Sequence, residues 1–306
     1  MYTALVKILK IYDNSQVTKA LSSQVGTSEA IRLLNIRSIH NLNNNSYKDL
    51  RFIQWLAGLI DGDGCFLLSK KGYASLEITM DIRDERALQA VKNVYGGSIK
   101  LRSGANALRY RLHNKEGLLN LINDVNGHIR NPIRLIQLNY ICVKYDIIIK
   151  YPEKLTYNNG WLSGFFDACG NIQLVPTVTG PSDSLEKGER IVENNPQLVI
   201  SVIHKDYNLV MIYKDFFGGN INIISNGRYE WYIELRDQTI NFINYVKTSP
   251  LRAFRHKKSY LTPVFFKLVD IKAHQSSKNT MLNKAWEIFN NKFNRYIHTK
   301  SNNSLR

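Results

Sequence analysis

Trp55-Leu56-Ala57-Gly58-Leu59-Ile60-Asp61-Gly62-Asp63-Gly64-Cys65-Phe66 returns as an imperfect copy at Trp161-Leu162-Ser163-Gly164-Phe165-Phe166-Asp167-Ala168-Cys169-Gly170-Asn171-Ile172. The first copy is apolar almost all round from Phe52 to Ile60, which predicts a buried helix. Gly62-Asp63-Gly64 reads as its stop, running into a strand from Cys65 to Ser69 and leaving Asp63 at the end of the helix. Ala57 and Gly58, repeated as Ser163 and Gly164, carry little side chain, so the two helices can approach backbone to backbone. Two such helices side by side would bring two acidic ends together, an arrangement able to hold divalent cations against a phosphodiester.

The repeat extends well beyond that pair. Tyr95-Gly96-Gly97-Ser98-Ile99 is answered by Phe217-Gly218-Gly219-Asn220-Ile221, and Arg109 to Asp124 by Trp231 to Val246. The offset grows from 106 residues at Gly58/Gly164 to 122 at Gly96/Gly218, which puts an insertion of 16 residues in the Gly/Pro/Ser/Glu-rich stretch Thr177 to Asn195. An internal duplication follows. Each copy reads helix, strand, strand, helix, strand, strand, helix. In the first, the strands are Cys65 to Ser69, Ser75 to Met80, Ser98 to Arg102 and Leu108 to His113, with helices from Asp84 to Val94 and Lys115 to Asn123. An apolar, basic helix from Ile133 to Lys150 and a turn at Pro152 connect the copies.

The doubled motif resembles the LAGLIDADG homing endonucleases and their relatives, the intron-encoded RNA maturases, in the single-chain form with two pseudo-symmetric halves. The likeness covers roughly Leu50 to Lys267. It implies an α+β fold of two αββαββα halves whose antiparallel sheets form a nucleic-acid-binding saddle, with the motif helices at the interface. It also implies one metal-binding acid per motif, here Asp63 in the first half and, at the matching position, Cys169 in the second. A neutral thiol is a poor ligand for Mg²⁺, which takes oxygen donors. Family members place a Lys near the start of the last helix of each half, beside the scissile phosphate. Lys115 fits that place, and the alignment of Leu112-His113-Asn114-Lys115 with Leu235-Arg236-Asp237-Gln238 puts Gln238 opposite it. Two roles lost on one side imply that cutting is gone or limited to nicking. Binding and splicing of a group I intron RNA then comes before double-strand DNA cleavage.

The charge agrees with a polyanionic partner, double-stranded DNA or intron RNA. The 306 residues carry 41 Lys plus Arg against 25 Asp plus Glu, a net charge of +16. Outward strand positions are candidates to contact it: Ser69, Lys71, Tyr73, Ser75, Glu77, Thr79, Lys100, Arg102, Ser103, Arg109 and Arg111 in the first half. Gln173, Gln197, Ser201, Asn222, Ser225, Arg228, Tyr229 and Glu230 are their counterparts in the second. A basic run after Pro250, Arg252, Arg255, His256, Lys257 and Lys258, raises the odds of a further phosphate contact.

The remaining features set context. Cys65, Cys142 and Cys169 lack metal-ligand spacing and suit a reducing compartment. No run of eighteen apolar residues suggests a membrane span. The abundance of Asn, Ile, Lys and Tyr suggests an AT-rich organellar genome, mitochondrial before chloroplast, and the single-chain form implies a monomer. The expected division is a flexible basic leader (1–48), a first domain with connector (49–150), a second domain (151–270) and a basic C-terminal extension (271–306).

Overall fold

The computed structural model describes residues 49–176 and 196–295. The leader 1–48, the insertion 177–195 and the end of the expected extension lie outside them. The first half runs α1 (Leu50–Asp63), β1 (Gly64–Leu68), β2 (Ala74–Asp81), α2 (Glu85–Tyr95), β3 (Ser98–Leu101), β4 (Ala107–Leu112) and α3 (Lys115–Val125). The connector contributes α4 (Pro132–Lys144). The second half repeats the order as α5 (Trp161–Cys169), β5 (Gly170–Pro176), β6 (Pro196–His204), α6 (Tyr207–Phe217), β7 (Asn220–Ile224), β8 (Arg228–Ile233) and α7 (Arg236–Thr248), and α8 (His256–Asp270) and α9 (Met281–Asn294) follow. Two four-stranded antiparallel sheets result, ordered β1-β2-β4-β3 and β5-β6-β8-β7. The expected α+β duplication is therefore the fold.

Period-two alternation makes each sheet two-faced. Along β2 the residues Ala74, Leu76, Ile78 and Met80 are buried while those between are partly exposed. The buried face packs under helices; the other is free for a ligand. At the end of α2 and again of α6 the chain turns through two glycines with positive φ, 77° and 88° at Gly96 and Gly97, 70° and 86° at Gly218 and Gly219. Side chains with a Cβ rarely adopt that conformation, which is why the Gly-Gly pair recurs.

One expectation needs correction. The connector helix ends at Lys144, not Lys150: Asp146 is left-handed (φ 54°) and Ile147 N–H turns back to the Cys142 carbonyl, after which three β-branched residues run without helix. The end of α1 is as expected, at Asp63 with Gly64 as its C-cap, and Gly62 within its last turn is small because a Cβ there would lie 2.3 Å from the Ala168 Cβ.

The two motif helices lie parallel and in backbone contact. A Cβ on Gly58 would sit 2.1 Å from the Trp161 carbonyl oxygen, and one on Gly164 would sit 1.8 Å from that of Trp55. Ala57 is fully buried, whereas Ser163 faces elsewhere, its N–H donating to Tyr245 Oη and its hydroxyl to the Gly160 carbonyl. Because the obstacles are backbone atoms that cannot rotate away, Gly58→Ala and Gly164→Ala should each cost ~3 kcal/mol or more. Thermal melts check this, with an unchanged midpoint as the contrary result.

Candidate active centre and nucleic-acid interface

Besides glycines, the motif helices exchange a reciprocal pair of hydrogen bonds. Trp55 Nε1 donates to Asp167 Oδ2 at 2.8 Å, and Trp161 Nε1 donates to Asp61 Oδ2 at 2.7 Å. Each carboxylate also accepts a backbone N–H from the segment following its own half, Asp61 from Arg130 (2.7 Å) and Asp167 from Arg252 (2.6 Å). The same arginines lie over the opposing indoles, Arg130 at 5.9 Å from Trp161 and Arg252 at 5.3 Å from Trp55. Asp61 and Asp167 thus clamp the helix pair to the chain beyond each half.

Both carboxyls are fully buried, and Oδ1 of each has no hydrogen-bond partner among the described residues. Burial pushes Asp61 up to about 7 and Asp167 up to about 6 against the N–H donors that favour the charged form. The unfolded chain ionises near 3.8, so as pH rises from there the folded state loses stability until these groups ionise, up to about 3 kcal/mol for Asp167. Asp167→Asn keeps an acceptor without the charge. Its melting temperature should fall less than that of the natural protein between about pH 4 and pH 6; parallel slopes would contradict the assignment.

Parallel packing sets the last residues of the two helices side by side. Asp63 and Cys169 line one cavity of about 670 Å³, together with Ser201, Arg228, Glu230, Arg255 and Lys258. Burial raises Asp63 to about 7; Arg255 pulls it down, the Asp84 charge pushes it up and Arg134 pulls it down. Cys169 is held as a neutral thiol by burial, reinforced by Asp63.

The register of the two sheets fixes which residues correspond. Gly64 pairs with Ile78 and Ile78 with Tyr110; Gly170 pairs with Val202 and Val202 with Trp231. Tyr110 Oη donates to the Gly96 carbonyl and Trp231 Nε1 to that of Gly218, so these two residues occupy one place in the fold. Lys115, first residue of α3, therefore corresponds to Arg236, first residue of α7. The sequence alignment slipped by two residues, and Gln238 corresponds to Gly117, lying beside Gly218. Nor does the fold bring Lys115 to Asp63. Lys115 is exposed and its Nζ lies 5.6 Å from the Tyr145 ring centroid, outside the cavity.

The lysine at the cavity is Lys258. It is 3% exposed, and its Nζ donates to the Ile172 carbonyl at 2.6 Å. Its counterpart is Gln137 of α4, whose Oε1 accepts from the N–H of Phe66, the residue matching Ile172, at 3.3 Å. The first half thus supplies Asp63 with Gln137, and the second Cys169 with Lys258. The asymmetry is split between the halves, where the sequence had both losses on one side. The basic run containing Lys258 was visible; its pairing with Asp63 was not, since 195 residues separate them.

On the first sheet's open face Glu77 pairs across to Arg111 and Thr79 to Arg109, with Lys100 beyond Arg109. Glu77 forms ion pairs with both arginines, at 3.6 Å to Arg109. Lys71 and Arg102 are exposed in the β1–β2 and β3–β4 turns. Ser69 holds the first of these turns by accepting the Tyr73 N–H (2.9 Å). On the second sheet Asn222 and Glu230 share the open face, Ser201 on the same side is buried against the cavity (1% exposed), and Tyr229 turns to the helix side against Tyr207 (5.2 Å between rings).

A family profile described as LAGLIDADG endonuclease matches residues 56–128 and 162–269. The chain belongs to the LAGLIDADG family. It is 41% identical over 312 residues to the intron-encoded RNA maturase bI4 of Saccharomyces cerevisiae, covering 92% of this chain and 47% of that protein. It is 39% identical over 280 residues to the probable intron-encoded endonuclease aI2 of Debaryomyces hansenii, covering 90% and 42%. The chain thus spans less than half of these two LAGLIDADG relatives. With the intron-encoded DNA endonuclease ai2b of Dictyostelium discoideum it shares 34% identity over 222 residues, 70% of this chain and 79% of that one. The LAGLIDADG meganuclease I-AabMI, solved bound to uncleaved DNA, superposes with a TM-score of 0.59 at 18% identity, covering 77% of this chain and 97% of that one. The I-LtrWI homing endonuclease, solved with target DNA, gives 0.56 at 18%, covering 79% and 98%.

LAGLIDADG endonucleases depend on divalent metals, and the donor set can be tested against a metal pair. Asp63 is one oxygen donor, its partner position is a neutral thiol, and Arg255, Arg134 and Lys258 crowd the centre. Among the described residues no three His, Cys, Asp or Glu side chains are placed to share an ion. The residues present do not fit two hard cations.

Proposed function

We propose that this chain is an intron-encoded LAGLIDADG protein that binds a long nucleic-acid site across its two sheets and supports splicing of its group I intron RNA. Double-strand cleavage is the alternative. The observation that carries the choice is the centre itself, where Cys169 faces Asp63 and cations surround both. Lys100, Arg109, Arg111, Lys71 and Arg102 on the first half and Arg228 on the second supply phosphate contacts, which position the ligand without reading its sequence. The similarity to the yeast RNA maturase supports the splicing role, and the DNA-bound solved neighbours support a saddle wide enough for a duplex. Asp63 keeps one oxygen ligand for Mg²⁺, so the residual chemistry is nicking at most. Two domains, 49–150 and 151–270, joined by the motif helices and acting as a monomer in mitochondria, fit this reading. Among the described residues no helix is long and apolar enough to cross a membrane.

The test is a supercoiled plasmid bearing the intronless host junction, incubated with Mg²⁺ and either the natural protein or the Cys169→Asp, Gln137→Lys double variant. Nicked circles or untouched plasmid are expected from the natural protein, and linear product from the variant. Linear product from the natural protein would overturn the proposal and establish a double-strand endonuclease.

A further inference from the structure

The mismatch between the centre and a metal pair has a positive side. Lys258 is almost completely buried and its ammonium has three N–H donors; among the described residues it meets one hydrogen-bond acceptor, the Ile172 carbonyl, with the Phe293 ring centroid 5.0 Å away. Burial pushes Lys258 down to about 8, helped by the guanidinium groups of Arg255 and of Arg83, the latter itself paired with Asp81 at 2.8 Å. Arg255 spends one nitrogen on the Asp167 carbonyl, and its Nε has no partner among the described residues; the same holds for Nε of Arg228 across the cavity. Against these cations stand Asp63, Glu230 on the wall and Asp84, whose Oδ1 already accepts the Phe254 N–H. With a neutral thiol at Cys169 the cavity lacks a second carboxylate at the helix ends, and a buried ammonium near guanidinium groups is stabilised by the arrival of an anion.

We infer that the cavity at the end of the motif helices holds a backbone phosphodiester directly, through Lys258, Arg255 and Arg228, without a divalent cation. This rests on the nucleic-acid-binding reading above and adds the ligand group and its metal independence. About 670 Å³ accommodates a phosphate with its flanking sugars. The Cys169 substitution is then a change of task. Removing the second acid converts a place that must be neutralised by metal before a phosphate can enter into one that accepts the phosphate unaided.

The experiment is fluorescence anisotropy of the full chain with a labelled mixed-sequence DNA duplex and, as a second arm, a labelled RNA hairpin, in EDTA and in Mg²⁺, over a salt series. The arm that binds more tightly identifies the source of the phosphate. The natural protein should bind within about twofold under both conditions. Lys258→Met, which keeps a long unbranched side chain and removes the ammonium, should weaken binding about tenfold and reduce the slope of log K against log salt by about 0.9, one phosphate contact. Should that variant fail to fold by circular dichroism, Arg228→Gln carries the same expectation from the opposite wall. Cys169→Asp should bind weakly in EDTA and recover in Mg²⁺. A natural protein that needs Mg²⁺ to bind, or a salt slope unmoved by either neutralising variant, would overturn the inference and leave the function standing. Absence of binding in every buffer would overturn both.

Discussion

Everything in this molecule depends on two helices touching at backbone distance through Gly58 and Gly164. That contact leaves no room for side chains between the helices, so the links between them are made at the edges by Trp55 with Asp167 and Trp161 with Asp61. The indole reaches across, the carboxylate accepts, and a backbone N–H from beyond each half completes the grip. Burying two acids is costly, yet each has donors enough to hold a position and one oxygen left unsatisfied. The arrangement is better understood as registry than as strength. It fixes how far one helix slides along the other, and so brings residues 63 and 169 together.

Registry at the centre propagates outward. Each motif helix runs straight into the first strand of its sheet, at Gly64 and at Gly170, so fixing the helices fixes the two sheets. The segment after each half then closes over the first strand at equivalent places, through Gln137 on Phe66 and Lys258 on Ile172. The same contact is made with opposite chemistry, an amide accepting on one side and an ammonium donating on the other. A duplicated fold can drift in this way, because packing constrains the place of a side chain more tightly than its charge.

The sequence made the fold legible because two periodicities and a repeat agreed. The apolar run from Phe52 to Ile60, the alternation along Ala74 to Asp81 and the Gly-Gly pairs all point to the same order of elements. The site was half legible. Asp63 and Cys169 could be read from the motif, since each ends a helix whose packing the glycines dictate. Lys115 and Gln238 could not be placed: a two-residue slip is invisible without strand register, which only the hydrogen bonds of Tyr110 and Trp231 supply. Lys258 was seen as part of a basic run, but its proximity to Asp63 is a property of the tertiary fold. Tyr229 is illegible for the opposite reason, since an aromatic with a hydroxyl suits either side of a strand and here packs on the helix side.

The central claim is that the shared centre has given up its metal pair while keeping its place for a phosphate. Electron paramagnetic resonance of Mn²⁺ added to the protein bound to duplex DNA tests this most directly, because two ions bridged at one centre are spin-coupled and isolated ions are not. The account predicts no coupled pair in the natural protein and its appearance in the Cys169→Asp variant. A coupled pair in the natural protein would mean that Cys169 has not emptied the second site, and that the chain retains the metal centre of a cutting enzyme.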